Sequence, residues 1–308
     1  MSMAIRKSMK TLLRGMKQWL DEGDERPAVP EMPTIPFDNT YPWLHASFRK
    51  LMQDPVCGKR PPYIWGVLQG AALGKVLGMQ RVSVMEFGVA GGAGLLAMER
   101  AAELCEEMVN IGIDVYGFDT GVGQPKPLDY RDRPYFWLEG FYPCDQEQLA
   151  KRLRRARLKL GLIDETIPAF LKTAPSPIAF IAFDMCFYSS TADALKLFEA
   201  GHERLLPRIP GFFRTTLGRT CNDFTGERLA ISEFNSLHTS RKISPMYGLR
   251  YFVPPGQMNL SWPEMFYSLH IFDHPLYNAP QQLRLPSIID VEGNESYHSA
   301  GQWKDLGR

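Results

Sequence analysis

The chain has 308 residues, 44% hydrophobic and 12% aromatic, enough to bury a sizeable core in one large domain with extensions. A net charge of +1 gives no general attraction to nucleic acid or acidic membranes, so no nucleic-acid partner is expected. No apolar run approaches the roughly 18 residues of a membrane span, and Cys57, Cys105, Cys144, Cys186 and Cys221 lack any Cys-x-x-Cys pair. Scattered cysteines, odd in number, fit free thiols in a reducing, cytoplasmic compartment better than a disulfide framework or a zinc site.

Residues 1–20 carry Arg6, Lys7, Lys10, Arg14 and Lys17 with Met9, Leu12, Leu13, Met16 and Leu20 at helical spacing. This basic amphipathic pattern suits a membrane-surface or targeting helix, and equally an ordinary helix packed on its own domain or on a second subunit. Pro27, Pro30, Pro33 and Pro36 then forbid a continuous helix over residues 22–39. Residues 1–40 are therefore an N-terminal helix and arm, a candidate homodimer contact. Residues 41–280 form the main domain, and 281–308 a tail.

Residues 82–89 read as a buried strand running into Glu86-Phe87-Gly88-Val89-Ala90-Gly91-Gly92-Ala93-Gly94, a glycine-rich turn that opens a helix. Glycine allows a sharp turn and close ligand approach, and the first turn of a helix leaves amides unpaired. An acid at Glu86 suits a ligand with an ammonium group and hydroxyls, and it opposes the pyrophosphate of a dinucleotide. The following helix carries Leu95, Leu96, Ala101, Ala102, Cys105 and Met108 near helical spacing and closes at Gly112.

A second strand at residues 113–119 ends in Asp119, where a carboxylate can accept the hydroxyls of a ribose or, more plainly, cap a turn. The loop 121–143, with Tyr130, Tyr135, Phe136, Trp137, Phe141 and Tyr142, suits a lid or acceptor wall. Asp145 and Gln148 resemble a capping box for a helix leading to Lys151, Arg152, Arg154, Arg155 and Arg157, a basic run expected to be a solvated face. Strands follow near 158–163, at 178–184 and near 212–217, with helices at 191–203 and 225–236 and late, antiparallel strands at 249–253 and 265–272. Alternating strands and helices predict a mostly parallel sheet with helices on both faces, whose ligands lie beyond the strand ends. Asp184 ends the fourth strand, as a base, an orienting group, the holder of a ligand's amino group or a surface acid.

Glu86-Phe87-Gly88-Val89, Gly117-Phe118-Asp119-Thr120, Gly161 with Glu165-Thr166-Ile167-Pro168, and Phe183-Asp184 with Tyr188-Ser189-Ser190-Thr191 together resemble the S-adenosylmethionine-dependent macrocin O-methyltransferase family over residues 82–234. The resemblance implies an α/β Rossmann-like class I methyltransferase fold of seven strands that binds S-adenosyl-L-methionine. It places Glu86, Gly88, Val89, Ala90 and Gly91 around the methionine moiety and Asp119 on the ribose. Gly161 and Leu162 fall near adenine and Asp184 near the methyl group, with Thr120 and Tyr188 as further cofactor-binding residues. The reaction implied is O-methylation of a small metabolite or sugar.

Relatives in that family resemble metal-assisted enzymes with further aspartates after the fourth strand and an Asp-Asp pair after the fifth. Here Cys186 lies two residues beyond Asp184, and Phe213-Arg214-Thr215-Thr216-Leu217-Gly218 has no carboxylate. A divalent cation needs several oxygen anions, so no metal is expected, and Arg214 is a candidate for its charge. A non-catalytic cofactor-binding or scaffold protein remains an alternative. Gly92-x-Gly94-x-x-Ala97 also satisfies the fingerprint of a nicotinamide oxidoreductase, though it starts too far from the strand end. His270-x-x-Asp273-His274 suits a metal or a relay, but equally a strand exit; His238 is a candidate contact, and Cys186 a small buried residue.

Overall fold

The structure, a computed structural model, describes residues 42–279 and the backbone of the short antiparallel pair Ser287–Ile289 and Glu295–Tyr297. The expected N-terminal helix and proline arm lie outside the described residues, as does most of the tail.

Seven strands form one sheet: β1 (Arg81–Phe87), β2 (Gly112–Asp119), β3 (Arg157–Leu160), β4 (Ile178–Phe183), β5 (Arg208–Phe213), β6 (Arg241–Pro245) and β7 (Phe266–Ile271), in the order β3-β2-β1-β4-β5-β7-β6. β1 to β5 run parallel, while β7 inserts antiparallel between β5 and β6. β4, with the sequence IAFIAF, is buried throughout, as a central strand covered on both faces must be.

The helices are α1 (Pro42–Leu51), α2 (Pro61–Val76), α3 (Ala93–Val109), α4 (Gln146–Arg152), α5 (Ile163–Lys172), α6 (Tyr188–Leu195) and α7 (Gly226–Leu237). α2 is buried on nearly every side and packs directly onto β1 and β4. Gly66, Gly70 and Gly74, one turn apart, admit this approach: an added Cβ would lie 2.0 Å from the Phe180 ring, 2.3 Å from the Ala179 carbonyl oxygen and 2.6 Å from Val82. The close fit brings Tyr63, on the first turn of α2, over the end of β1.

Several boundaries differ from the sequence reading. α3 is closed by Asn110 in the left-handed region, whose N–H bonds to the Glu106 carbonyl, and Gly112 begins β2 instead of ending the helix. The third strand stops at Leu160, because Gly161 adopts φ +135° and Leu162 caps α5. The fifth begins at Arg208, since Pro210 and Gly211 pair with Ser268 and Tyr267 of β7 and so lie inside the strand. The helix expected at 191–203 is α6, which starts at Tyr188 and tightens into a 3-10 turn at Lys196–Glu199. Residues 249–253 do not form a strand; they begin with a 3-10 turn, Leu249–Tyr251, and Arg241–Pro245 supplies the edge strand. Beyond α4, Arg155 pairs with Glu106 and Arg157 bonds to the Tyr116 hydroxyl, so part of the basic run anchors helix and strand instead of facing solvent.

Candidate functional site

The parallel ladder continues past the strand ends and sets the predicted residues in a row. Gly161 donates to the Asp119 carbonyl (3.0 Å), Gly88 to that of Phe118 (2.9 Å), Asp184 to that of Phe87 (2.8 Å) and Arg214 to that of Phe183 (3.0 Å). The ends of β3, β2, β1, β4 and β5 thus line one edge of the sheet, where ligands of such folds collect.

The turn after β1 is held from β2. Asp119 Oδ2 accepts the Val89 and Ala90 amides at 2.8 and 2.9 Å, and Oδ1 accepts the Gly121 amide at 2.7 Å. Two amides saturate Oδ2, whereas Oδ1 keeps one lone pair for a ligand hydroxyl. Gly88 turns at φ +85°, and a Cβ there would meet the Asp184 carbonyl oxygen at 2.6 Å. Thr120 spends its hydroxyl on the Gly123 carbonyl.

Glu86 is 1% exposed, and its Oε1 accepts the Tyr63 hydroxyl. Burial pushes its carboxyl well above the ordinary value; the Tyr63 bond and Arg60 oppose this, while Asp184 and Asp119 add to it. Its Oε2 is buried without a partner. Such an atom costs about 1–3 kcal/mol unless a donor reaches it. Gly94 on α3 leaves only enough room for this carboxyl, since a Cβ there would lie 1.9 Å from Oε1. At Gly91, by contrast, an added Cβ meets nothing within 4 Å among the described residues. An orphaned acid, an open glycine and the N-terminus of α3 fit a ligand that brings hydrogen-bond donors, as the ammonium of S-adenosylmethionine would.

Asp184 Oδ1 accepts from Arg214 Nη1 at 2.9 Å; the aspartate side chain is 17% exposed and the arginine 52%. Burial raises the Asp184 carboxyl above its usual range, against the pull of Arg214 and Arg60. The Thr215 amide donates to Glu227 Oε2 at 2.7 Å, and the Thr216 hydroxyl to the Phe213 carbonyl at 2.8 Å. With a guanidinium on Asp184 and threonines beside it, these residues do not fit a hard divalent cation. Among the described residues, no group of three or more His, Cys, Asp or Glu is placed to hold a metal. Burial pushes the Cys186 thiol up to about 12, so it packs as a small buried residue.

The sheet order, with its single antiparallel strand inserted next to the edge, decides the architecture. The fold is that of a class I methyltransferase. No family model and no curated protein matches the chain. Similar solved structures include the calicheamicin methyltransferase CalS11, at 19% identity over 75% of this chain and 93% of that one, with a TM-score of 0.47. Another is an O-methyltransferase from Bacillus cereus in complex with SAH, at 16% identity over 68% of this chain and 84% of that one, with a TM-score of 0.33. A third is the SAH-bound Podospora anserina methyltransferase PaMTH1, at 14% identity, 74% and 87% coverage, and a TM-score of 0.36.

Other predicted residues lie apart from the row. Tyr188 gives its hydroxyl to Glu233 of α7 and its ring face to Arg131, 4.3 Å away, so its side chain serves the contact of α6 with α7. Leu162 is half-exposed at the start of α5, beside Gly161. Gly92 caps α3, five residues past the end of β1, which is the register that counts against a dinucleotide fingerprint. His270 bonds to Tyr277 and pairs with Arg208, at the opposite end of β5 from Arg214; His274 bonds to the His202 carbonyl. His238 bonds to the Phe234 carbonyl and stacks on that ring.

Three groups escaped the sequence reading. Tyr63 stands on α2, a helix the sequence pattern did not reveal. Glu227 on α7 is buried, with Oε1 unpartnered and its carboxyl pushed well up by burial. Asp132 and Arg133, buried within the aromatic loop, tie it down: Asp132 accepts the Ser189 amide (2.9 Å) and hydroxyl (3.0 Å), and Arg133 donates to the Cys186 carbonyl (2.7 Å). Tyr130, Tyr135 and Tyr142 stay exposed around this tether. The expected capping residue is present, since Asp145 accepts the Gln148 amide at 3.0 Å.

Proposed function

We propose that the protein binds S-adenosyl-L-methionine at the turn 86–94 and transfers its methyl group to a hydroxyl of a small metabolite or sugar. The observation that carries this is the buried, unpartnered Glu86 Oε2 at the strand end, beside a glycine turn with open space at Gly91. The sulfonium supplies an activated methyl group with a good leaving group, so the protein has chiefly to bind, align and accept a proton. Glu86 takes the ammonium, the turn 88–91 follows the methionine chain, and Asp119 Oδ1 meets a ribose hydroxyl, with Thr120 holding that loop. Gly161 and Leu162 flank the base.

Asp184 holds the acceptor hydroxyl in line and takes its proton. Its burial-raised carboxyl is a better base than an ordinary exposed aspartate. The Arg214 pair supports transfer without a metal, so activity should survive a chelator; loss restored by magnesium would refute that part. A cytoplasmic setting is supported by the five free cysteines, and no helix among the described residues is long and apolar enough to cross a membrane. A homodimer through residues 1–40 is tested on a sizing column.

Isothermal titration with S-adenosylmethionine and S-adenosylhomocysteine is the deciding experiment. Binding of both supports the reading, and binding of neither sinks it. The Asp184–Arg214 ion pair also favours a second reading, a cofactor-binding scaffold whose base is permanently occupied. Tight cofactor binding without transfer to any of a broad acceptor panel would establish that alternative.

A further inference from the structure

We infer that Arg214 is the acceptor-holding group of this site, and that the acceptor it selects carries a carboxylate beside the hydroxyl that receives the methyl group. This rests on the proposed function and adds the substrate class. A guanidinium offers five N–H donors in a planar fork matched to two oxygens. Arg214 spends one of them, Nη1, on Asp184, and half of its side chain remains open to solvent while the aspartate lies behind it. A group serving only as counter-ion to Asp184 needs no such open face.

The arginine is also held where it can act. Its amide continues the ladder from Phe183. The next residue is fixed three ways: the Thr215 amide donates to Glu227, its hydroxyl to the Met185 carbonyl (3.2 Å), and its carbonyl accepts the Cys221 thiol (2.8 Å). The Met185 bond ties the turn of Arg214 to the turn of Asp184, so proton acceptor and fork keep their spacing.

The local charge favours an anion. Arg60, at the start of α2, is near enough to stabilise the ionised forms of Asp184 and Glu86. Burial drives Glu227 toward its neutral form, and the ammonium of the bound cofactor balances Glu86, so Arg60 and Arg214 are set against Asp184. A carboxylate on the open side of Arg214 completes the balance. Its oxygens engage the fork while the neighbouring hydroxyl reaches Asp184.

The test uses the full chain saturated with S-adenosylhomocysteine, titrated calorimetrically with paired probes: salicylate against 2-hydroxybenzyl alcohol, and lactate against 1,2-propanediol. Within at least one pair the acid should bind about tenfold to a hundredfold more tightly, and the preference should shrink as salt is raised. Arg214→Met should abolish it. Arg214→Lys keeps a charge for Asp184 but loses the fork, so it should retain the melting temperature and lose most of the preference. Equal binding within both pairs, no binding of either acid, or a preference that survives Arg214→Lys unchanged would overturn the inference. Should Arg214→Met fail to fold, the lysine variant and the salt dependence decide. If S-adenosylhomocysteine itself does not bind, the proposed function falls and this inference falls with it.

Discussion

Two glycines three residues apart in the same turn should respond oppositely to alanine. At Gly91 an added Cβ meets nothing within 4 Å, and the backbone is outside the left-handed region that alanine avoids. Nothing among the described residues requires glycine there. Gly91→Ala should therefore leave stability unchanged or raise it by about 0.4–1 kcal/mol, because alanine loses less chain entropy on folding. If the open space is where the cofactor passes, the methyl group displaces the ligand from its hydrogen bonds. A charge-assisted bond is worth roughly 1.5–3 kcal/mol, so S-adenosylhomocysteine affinity should fall about tenfold to a hundredfold. At Gly94 a Cβ would lie 1.9 Å from Glu86 Oε1 and 2.7 Å from the Tyr63 hydroxyl. Overpacking costs about 1–3 kcal/mol, against a helix-propensity gain of about 1 kcal/mol, and moving Glu86 should weaken binding as well. Urea denaturation and titration calorimetry on both variants separate the two effects. Wild-type affinity in a stably folded Gly91→Ala would refute the placement of the ligand at this turn.

Tyr63→Phe removes the donor to Glu86 Oε1 and leaves both carboxyl oxygens unpartnered; it should cost about 1–3 kcal/mol by denaturation, and an unchanged midpoint would show that the contact carries no weight. Asp119→Ala strips the acceptor from three amides, at Val89, Ala90 and Gly121, so it should lower stability and cofactor affinity together, whereas a loss of affinity alone would contradict the tethering role. Glu227 has its carboxyl raised well above its ordinary value of 4.5, so the folded protein holds a proton that the unfolded chain releases. Its contribution is complete below that value and is lost as pH rises toward the folded-state value, with a slope of at most about 1.4 kcal/mol per pH unit. Glu227→Gln, which mimics the neutral acid, should flatten part of the decline of unfolding free energy with pH, leaving the share due to Glu86; an unchanged profile would refute it.

The strands and the acids at their ends were legible because each carries its own local signal. A buried strand that ends in glycines or an acid is written in consecutive residues, and parallel pairing aligns the carboxyl ends, so that Asp119 and Asp184 flank Gly88 while Glu86 pairs with Gly117 and Ala182 two residues earlier. α2 was not legible for the opposite reason. Eleven of its sixteen residues are buried, so it has no polar face and no amphipathic period to betray it, and its glycines look like breakers until Phe180 and Ala179 are seen against them. Missing that helix meant missing Tyr63, and with it the reason Glu86 can be buried.

Glu227 is invisible for a related cause, since its role depends on Thr215, twelve residues earlier, turning back to it after β5. The same geometry gives Arg214 a partner that neighbouring residues in the chain do not show. The sequence shows that the expected carboxylates are missing, but only the ladder from Phe183 to Arg214 puts the guanidinium on Asp184. Substituting a fixed cation for a metal changes what the site can hold. A hard divalent ion stays among several oxygen anions, whereas a half-exposed guanidinium balanced by one aspartate keeps donors in reserve, and an incoming carboxylate is the ligand whose geometry uses them.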